Sequence, residues 1–245
     1  MDAIWPRVCW VCGSPAAPGT APLACDEHDL SPAMASMRSG PRCARCAGRL
    51  PPGIRDGLTC AACRLQGGAP SRAICAIDYR VSGAADWLLR FKHGSRGDLA
   101  IPLAGVLAAA YRQEADRSAD RMLVPVPLHP ARRLERGHDQ AALLASELEA
   151  LGVGRHAPLL RRTRHTPAQG APGAPSRAAN VRAAFAVRRP RGLARGTSIW
   201  IVDDVLTTGA TVAACALALR RAGAHEVGVL AVARAGDLPS TLTTR

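Results

Sequence analysis

Lysine is nearly absent: the 245-residue chain has 32 basic residues, of which Lys92 is the only lysine. Aromatic residues are almost as scarce, at 3%, which leaves few platforms for stacking bases. Long hydrophobic runs are missing too. The longest, residues 99–111, covers 13 residues and contains Pro102 and Gly105. That is short of the ~20 residues a membrane-spanning helix needs, so no membrane insertion is expected. Residues 1–7 show neither the basic region nor the apolar core of a secretory signal, and a cytoplasmic location is the expectation. Acids, finally, are absent from residues 150–202, where ten arginines occur.

What remains is 48% apolar and 21% charged, with a formal net charge of +13. This excludes a disordered or fibrous chain, and the length suits two domains. The charge grows along the sequence: +2 over residues 1–70, +4 over 71–162 and +7 over 163–245. An acid-free basic stretch points to an anionic partner. The use of Arg for Lys throughout also fits a codon bias, so no single Arg there is assigned a role on composition.

Eight soft ligands fall into two similar units, Cys9-x2-Cys12-x12-Cys25-x2-His28 and Cys43-x2-Cys46-x13-Cys60-x2-Cys63, the second about 34 residues after the first. Each C-x2-C turn directs two thiolates at one point, and two such turns supply the closed tetrahedral shell of a structural zinc. Pro and Gly clusters separate the knuckles and apolar periodicity is weak, so bound metal is expected to supply the folding free energy of this region. A disulfide framework is disfavoured without a secretory signal. Iron–sulfur ligation is the sharper competitor, and His28 argues for zinc. The spacing leaves open whether each repeat closes its own site or the two interleave. Cys75 and Cys215 fit neither set and are expected to be buried apolar residues.

After the Gly-Gly-Ala-Pro stretch at 67–70 the pattern becomes periodic, which places a domain boundary there: a double zinc-ribbon-like module over 1–70 and a second domain over 71–245. Strand-like runs are 73–81, 121–126, 185–187, 198–202 and 226–232; helical segments are 84–91, 98–115, 139–151 and 210–222. Their alternation predicts an α/β fold with a doubly wound, mostly parallel sheet and a ligand site outside the carboxyl ends of the strands. Trp87, Phe91 and Trp200 are expected in the core, leaving Trp5 and Trp10 as candidate stackers.

One strand end carries distinctive chemistry. The apolar run Ile199-Trp200-Ile201-Val202 leads into Asp203-Asp204, then Thr207-Thr208-Gly209-Ala210-Thr211 opening a helix. Free N–H groups of such a loop, a helix N-terminus and Thr hydroxyls suit a phosphate monoester. Two adjacent carboxylates suit hydroxyl donors or a divalent cation. A ribose 5-phosphate satisfies both halves.

This segment resembles the signature of the type I phosphoribosyltransferases, in which four apolar residues, two acids and a T-T-G-x-T loop bind phosphoribosyl pyrophosphate. The resemblance implies that Asp203 and Asp204 hold the ribose hydroxyls and that residues Thr207, Thr208, Gly209, Ala210 and Thr211 bind the 5-phosphate. Together with the knuckles, the chain resembles the ComF family over nearly its whole length. Lys92-His93-Gly94 is similar to that family's basic turn, Val124-Pro125-Val126-Pro127 with Arg132, Arg136, Gly137 and Gln140 to its V-P-V-P…R-G-x-N-Q loop. Arg162, Thr166, Gln169, Arg177, Asn180 and Phe185 resemble its next segment. Asp139 stands where the family has Asn and His138 where it has an aromatic; an acid at 139 would oppose pyrophosphate.

The resemblance implies a phosphoribosyl pyrophosphate-like ligand with Mg²⁺, Arg136 and then Lys92 as the residues meeting pyrophosphate, and a role in DNA uptake or utilisation with protein partners of that process. Stretch 163–177 reads as a lid that excludes water. No acceptor-binding residue is identified, and His129, His138, His156, His165 and His225 are scattered, so whether the site turns over is left open. Two further readings stand beside a phosphoribosyltransferase: a non-catalytic accessory protein binding single-stranded DNA, and a sensor of phosphoribosyl pyrophosphate.

Overall fold

Strands without a polar face need cover on both sides. The computed structural model describes residues 7–65, 70–114, 121–128, 133–134, 137–163, 184–188 and 197–236. Its centre is a sheet of strands β1 (Arg72–Asp78), β2 (Arg121–Pro125), β3 (Arg155–His156), β6 (Ser198–Leu206) and β7 (Val227–Arg234), in the order β1-β7-β6-β2-β3. Every pairing in it is parallel. A separate antiparallel ribbon joins β4 (Leu160–Arg162) to β5 (Phe185–Val187). The α/β class expected from the alternation is the one observed.

Before the sheet, the knuckle region holds helices α1 (Ser31–Arg38) and α2 (Ala61–Leu65). Helices α3 (Ala84–His93), α4 (Ala100–Glu114) and α5 (Gln140–Ala150) cover one face, and α6 (Ala210–Arg221) with the ribbon covers the other. On the first face Trp87, Phe91, Leu103, Leu107, Leu144 and Leu148 pack against Leu123, Trp200 and Leu230. On the second, Cys215 and Leu219 meet Ile199, Ile201 and Val229. Each such side chain, fully buried, contributes ~1.5–3 kcal/mol. Trp200 also requires Gly228 beside it in β7, because a Cβ there would come within 2.6 Å of the indole. Among the described residues no helix is long and apolar enough to cross a membrane.

Three findings differ from the sequence expectations. Strand β6 continues past Val202 to Leu206, because β7 pairs with it through Asp203↔Ala231, Val205↔Ala233 and Leu206↔Arg234. The two acids are thus strand residues rather than loop residues. Helices α1 and α2 and strands β3 and β4 were not foreseen; each is 8 residues or shorter, too short to show a period. Lastly, Val11, Ala24, Leu30 and Ala33 belong to the same apolar core as Ile74, Trp87 and Leu103, so packing runs continuously across residue 70. Backbone contacts cross it too, with Trp87 Nε1 donating to the His28 carbonyl at 2.8 Å and Ala73 N to the Ala44 carbonyl at 2.7 Å. The weak apolar pattern of the knuckle region therefore does not mean an absent core; its few apolar residues share one with the sheet.

Candidate functional site

The carboxyl end of β6 gathers most of the residues singled out in the sequence. Asp204 is buried and Asp203 half-buried, and Asp203 Oδ1 accepts from the Asp204 N–H at 2.9 Å. Burial first, and the Asp204 charge second, push the Asp203 carboxyl up to about 8 against the opposing pull of Lys92. Near neutral pH the pair therefore tends to keep one proton. Gly209 follows as the N-cap of α6 with φ +77°, a left-handed conformation that a β-branched residue resists. It turns the chain so that Ala213 N bonds the Gly209 carbonyl at 2.8 Å while the Ala210 N–H faces Thr208 Oγ1 at 3.5 Å. Thr207 and Thr208 are exposed, next to the amino end of a 12-residue helix. An anion is favoured there by the free N–H groups and the helix dipole.

Helix α3 brings the lone lysine to this place. Lys92 Nζ stands 3.2 Å from Asp204 Oδ2. Its first partner is thus the acid pair. The turn after α3 is held by the start of α5: Gln140 Nε2 donates to the Lys92 carbonyl at 3.3 Å, and the His138 ring bonds the Phe91 carbonyl at 2.8 Å. The Lys92-His93-Gly94 turn and the His138–Gln140 segment, read separately in sequence, interlock here. Asp139 is the N-cap of α5, its carboxylate accepting from Ala142 N at 3.2 Å. Asn and Asp perform this cap equally well, so the substitution at 139 is accounted for by helix capping.

The eight knuckle ligands form two clusters, Cys9, Cys12, Cys25, His28 and Cys43, Cys46, Cys60, Cys63, with all ligand atoms of each within 4.8 Å of one another. Each repeat closes its own site. The Sγ separations of 3.7 Å for Cys12–Cys25 and 3.9 Å for Cys46–Cys60 match the ~3.8 Å edge of a tetrahedron with metal–sulfur bonds of ~2.3 Å. His28 turns Nδ1 toward Cys25 Sγ, at 3.1 Å. Backbone N–H groups point at the sulfurs, Val11 N to Cys9 at 3.4 Å and Cys60 N to Cys43 at 3.2 Å. Both clusters can hold a metal ion, and the donor sets are consistent with zinc. His28 Nε2 faces Asp86 Oδ2 of α3 at 3.6 Å, the carboxylate–histidine arrangement that orients a ligating imidazole. Cys75 and Cys215 stay outside both sets; burial pushes the Cys75 thiol up to about 12 and the Cys215 thiol upward too.

Arg132, Arg136, Thr166, Gln169, Arg177 and Asn180, with Trp5 and nearly all of 163–177, lie outside the described residues. Trp87, Phe91 and Trp200 are core residues as expected. Two functional candidates were missed in sequence, Asp86 and Arg234. An acid in the first turn of a helix reads as dipole compensation, which hid Asp86. Arg234 was lost because the strand was expected to end at residue 232; its mark is a lone cation closing a wholly buried strand.

Fold and site together define a parallel α/β protein with two knuckle-type clusters that can hold a metal ion and a sheet whose central strand carries an acid pair near its carboxyl end and runs into a Thr/Gly loop. No known protein-family profile matches the chain. It is 30% identical over 236 residues to the DNA utilization protein YhgH of Salmonella typhimurium, spanning 94% of this chain and 97% of that one. Over 234 residues it is 30% identical to the protein of that name from Escherichia coli K12. Competence protein F of Haemophilus influenzae is 30% identical over 164 residues, 65% of this chain and 71% of that protein. The chain belongs to this family, the ComF family. Among solved structures, the allosteric regulatory enzyme of purine biosynthesis aligns with a TM-score of 0.36 at 22% identity, over 59% of this chain and 30% of that one.

Proposed function

We propose that the chain binds phosphoribosyl pyrophosphate, or a related ribose phosphate, with Mg²⁺, and that it does so in the service of DNA uptake or utilisation in the cytoplasm. The observation that carries this reading is the placement of Asp203 and Asp204 in the carboxyl-terminal part of β6, which runs through Thr207 and Thr208 into the left-handed Gly209 that opens α6. In this reading the Thr207–Thr211 loop receives the 5-phosphate through its N–H and hydroxyl donors, and Asp203 and Asp204 accept from the ribose hydroxyls. Lys92, ion-paired with Asp204, is the cation assigned in this reading to the diphosphate. Mg²⁺ would supply charge neutralisation of the diphosphate. If pyrophosphate leaves, the fixed cations stabilise its developing negative charge and the acid pair the positive charge on the ribose. Residues 1–70 are proposed as a double zinc-ribbon-like module and 71–245 as a phosphoribosyltransferase-like domain.

The test is calorimetric titration of the zinc-loaded protein with phosphoribosyl pyrophosphate and Mg²⁺, beside an Asp203→Asn/Asp204→Asn variant. Binding by the wild type that disappears in the variant is the expected outcome; a folded wild type that does not bind overturns the reading. A second reading, single-stranded DNA binding without catalysis, is favoured by a cavity of about 660 Å³ beside the first cluster, lined by Trp10, Arg90 and Arg96 among others. It combines a stacking surface with cations. It expects DNA retention that falls steeply with salt and weakens on replacing Trp10 and Arg90; retention unchanged by those replacements rejects it.

A further inference from the structure

Arg234 is the last residue of β7 and its only charged one, and it is buried at 6% exposure. Its Nη1 donates to the carbonyls of Leu206 at 2.9 Å and Thr207 at 2.7 Å, and to that of its neighbour Ala235. Leu206 ends β6 and Thr207 begins the phosphate-type loop, so one side chain braces the hinge between them. Nε has no hydrogen-bond partner, and among the described residues no carboxylate pairs with the guanidinium. A buried cation satisfied only by carbonyls calls for a counter-charge nearby.

That counter-charge lies across Gly48. A Cβ built on Gly48 would stand 3.2 Å from Cys46 Sγ and 3.2 Å from Arg234 Nη2, so sulfur and guanidinium are at most about 6.4 Å apart across a residue that has no side chain. Four thiolates around a divalent ion carry a formal charge of about −2. Of the other cations near this cluster, Arg45 is turned to the carbonyls of Pro70 and Cys63, and Arg42 to those of Ala47 and Ser36.

We propose that Arg234 is a positioning residue that serves as counter-cation to the Cys43–Cys46–Cys60–Cys63 metal cluster and, through the Leu206 and Thr207 carbonyls, holds the phosphate loop. Metal occupancy of that cluster and phosphate binding at the loop are thereby coupled. The phosphate half of this inference rests on the ribose-phosphate reading above; the metal half stands without it. Coupling of binding free energies is reciprocal, so a ligand in the loop must raise the affinity of the cluster for its metal by the factor by which the metal improves ligand affinity.

The experiment uses the full zinc-loaded chain as wild type, Arg234→Gln and Arg234→Lys. Zinc is withdrawn with a chelator, and alkylation of each cysteine is followed by peptide mass, with Cys9, Cys12 and Cys25 as internal reference. In Arg234→Gln the second cluster is expected to label about tenfold faster with the first unchanged. Arg234→Lys keeps the charge without the forked donor. It should label like wild type while the amides of residues 205–211 exchange faster with deuterium. Phosphoribosyl pyrophosphate with Mg²⁺ should slow labelling of the second cluster in wild type and not in Arg234→Gln. Equal labelling of that cluster in wild type and Arg234→Gln overturns the proposal, as does equal acceleration at both clusters, which is mere loosening of the core. If calorimetry finds no ligand binding to wild type, the ribose-phosphate reading fails and labelling alone decides the metal half. Binding without protection overturns the coupling.

Discussion

Replacing Asp203 by Asn should change how stability depends on pH, and the sign and size follow from where the carboxyl sits. Its ordinary value is 3.8, and burial with the Asp204 charge beside it raises it to about 8 in the folded chain. A group whose pKa is raised on folding contributes stability that is complete below its unfolded pKa and is lost as pH rises toward the folded one. Wild-type stability should therefore fall between pH 6 and 8, by at most 1.36 kcal/mol per pH unit from this group. Asp203 is half-buried and shares its proton with Asp204, so about half of that slope, ~1.5 kcal/mol across the window, is a fair magnitude. In a chain of this size 1 kcal/mol moves Tm by about 2–4 °C, giving about 3–6 °C. The assay is thermal unfolding of wild type and Asp203→Asn at several pH values from 6 to 8, read as the difference between them. Differencing cancels histidine titration and any loss of metal shared by both proteins. Asp203→Asn should gain relative to wild type as pH rises, while its affinity for phosphoribosyl pyrophosphate falls ~10–100-fold through loss of charged acceptors. Parallel Tm curves would refute the reasoning, for they would mean that Asp203 ionises normally and that Lys92 balances both acids.

Two further outcomes are expected from single substitutions. Asp86→Asn removes the carboxylate that faces His28 Nε2 at 3.6 Å and should hasten metal loss from the first cluster about tenfold with the second unaffected, as read by chelator competition with cysteine mapping; equal loss from both would show a global effect instead. Gly209→Val places a β-branched residue at φ +77° and should cost ~1–3 kcal/mol of strain, cutting ribose 5-phosphate affinity about tenfold while circular dichroism stays native; unchanged affinity would mean that the loop does not hold the phosphate.

The two candidate metal sites were legible in sequence because their ligands come as close pairs three residues apart, a spacing that dictates local geometry whatever surrounds it. The strand–acid–acid–loop unit was legible for the same reason: β6, the Gly209 turn and the start of α6 are contiguous. Helix and strand boundaries were recovered closely where apolar residues recur over ten or more positions, as in α4 and α6, and were lost in short elements such as β4, whose Leu-Arg-Arg shows no period.

The local sequence thus determined which side chains can ligate metal and where a Thr/Gly loop opens a helix. Tertiary structure decided which far-off residues complete these sites. Only the packing of α3 across the sheet sets Lys92 against Asp204 at one end and Asp86 against His28 at the other. Only the parallel pairing of β6 with β7 brings Arg234 under Thr207 and beside Gly48. The continuity of the core from Val11 to Leu230 was likewise invisible in the chain, since scattered apolar residues acquire a common interior only when the sheet gathers them. Spacing along the chain carries local chemistry, whereas pairing of distant charges depends on crossover connections that no local pattern encodes.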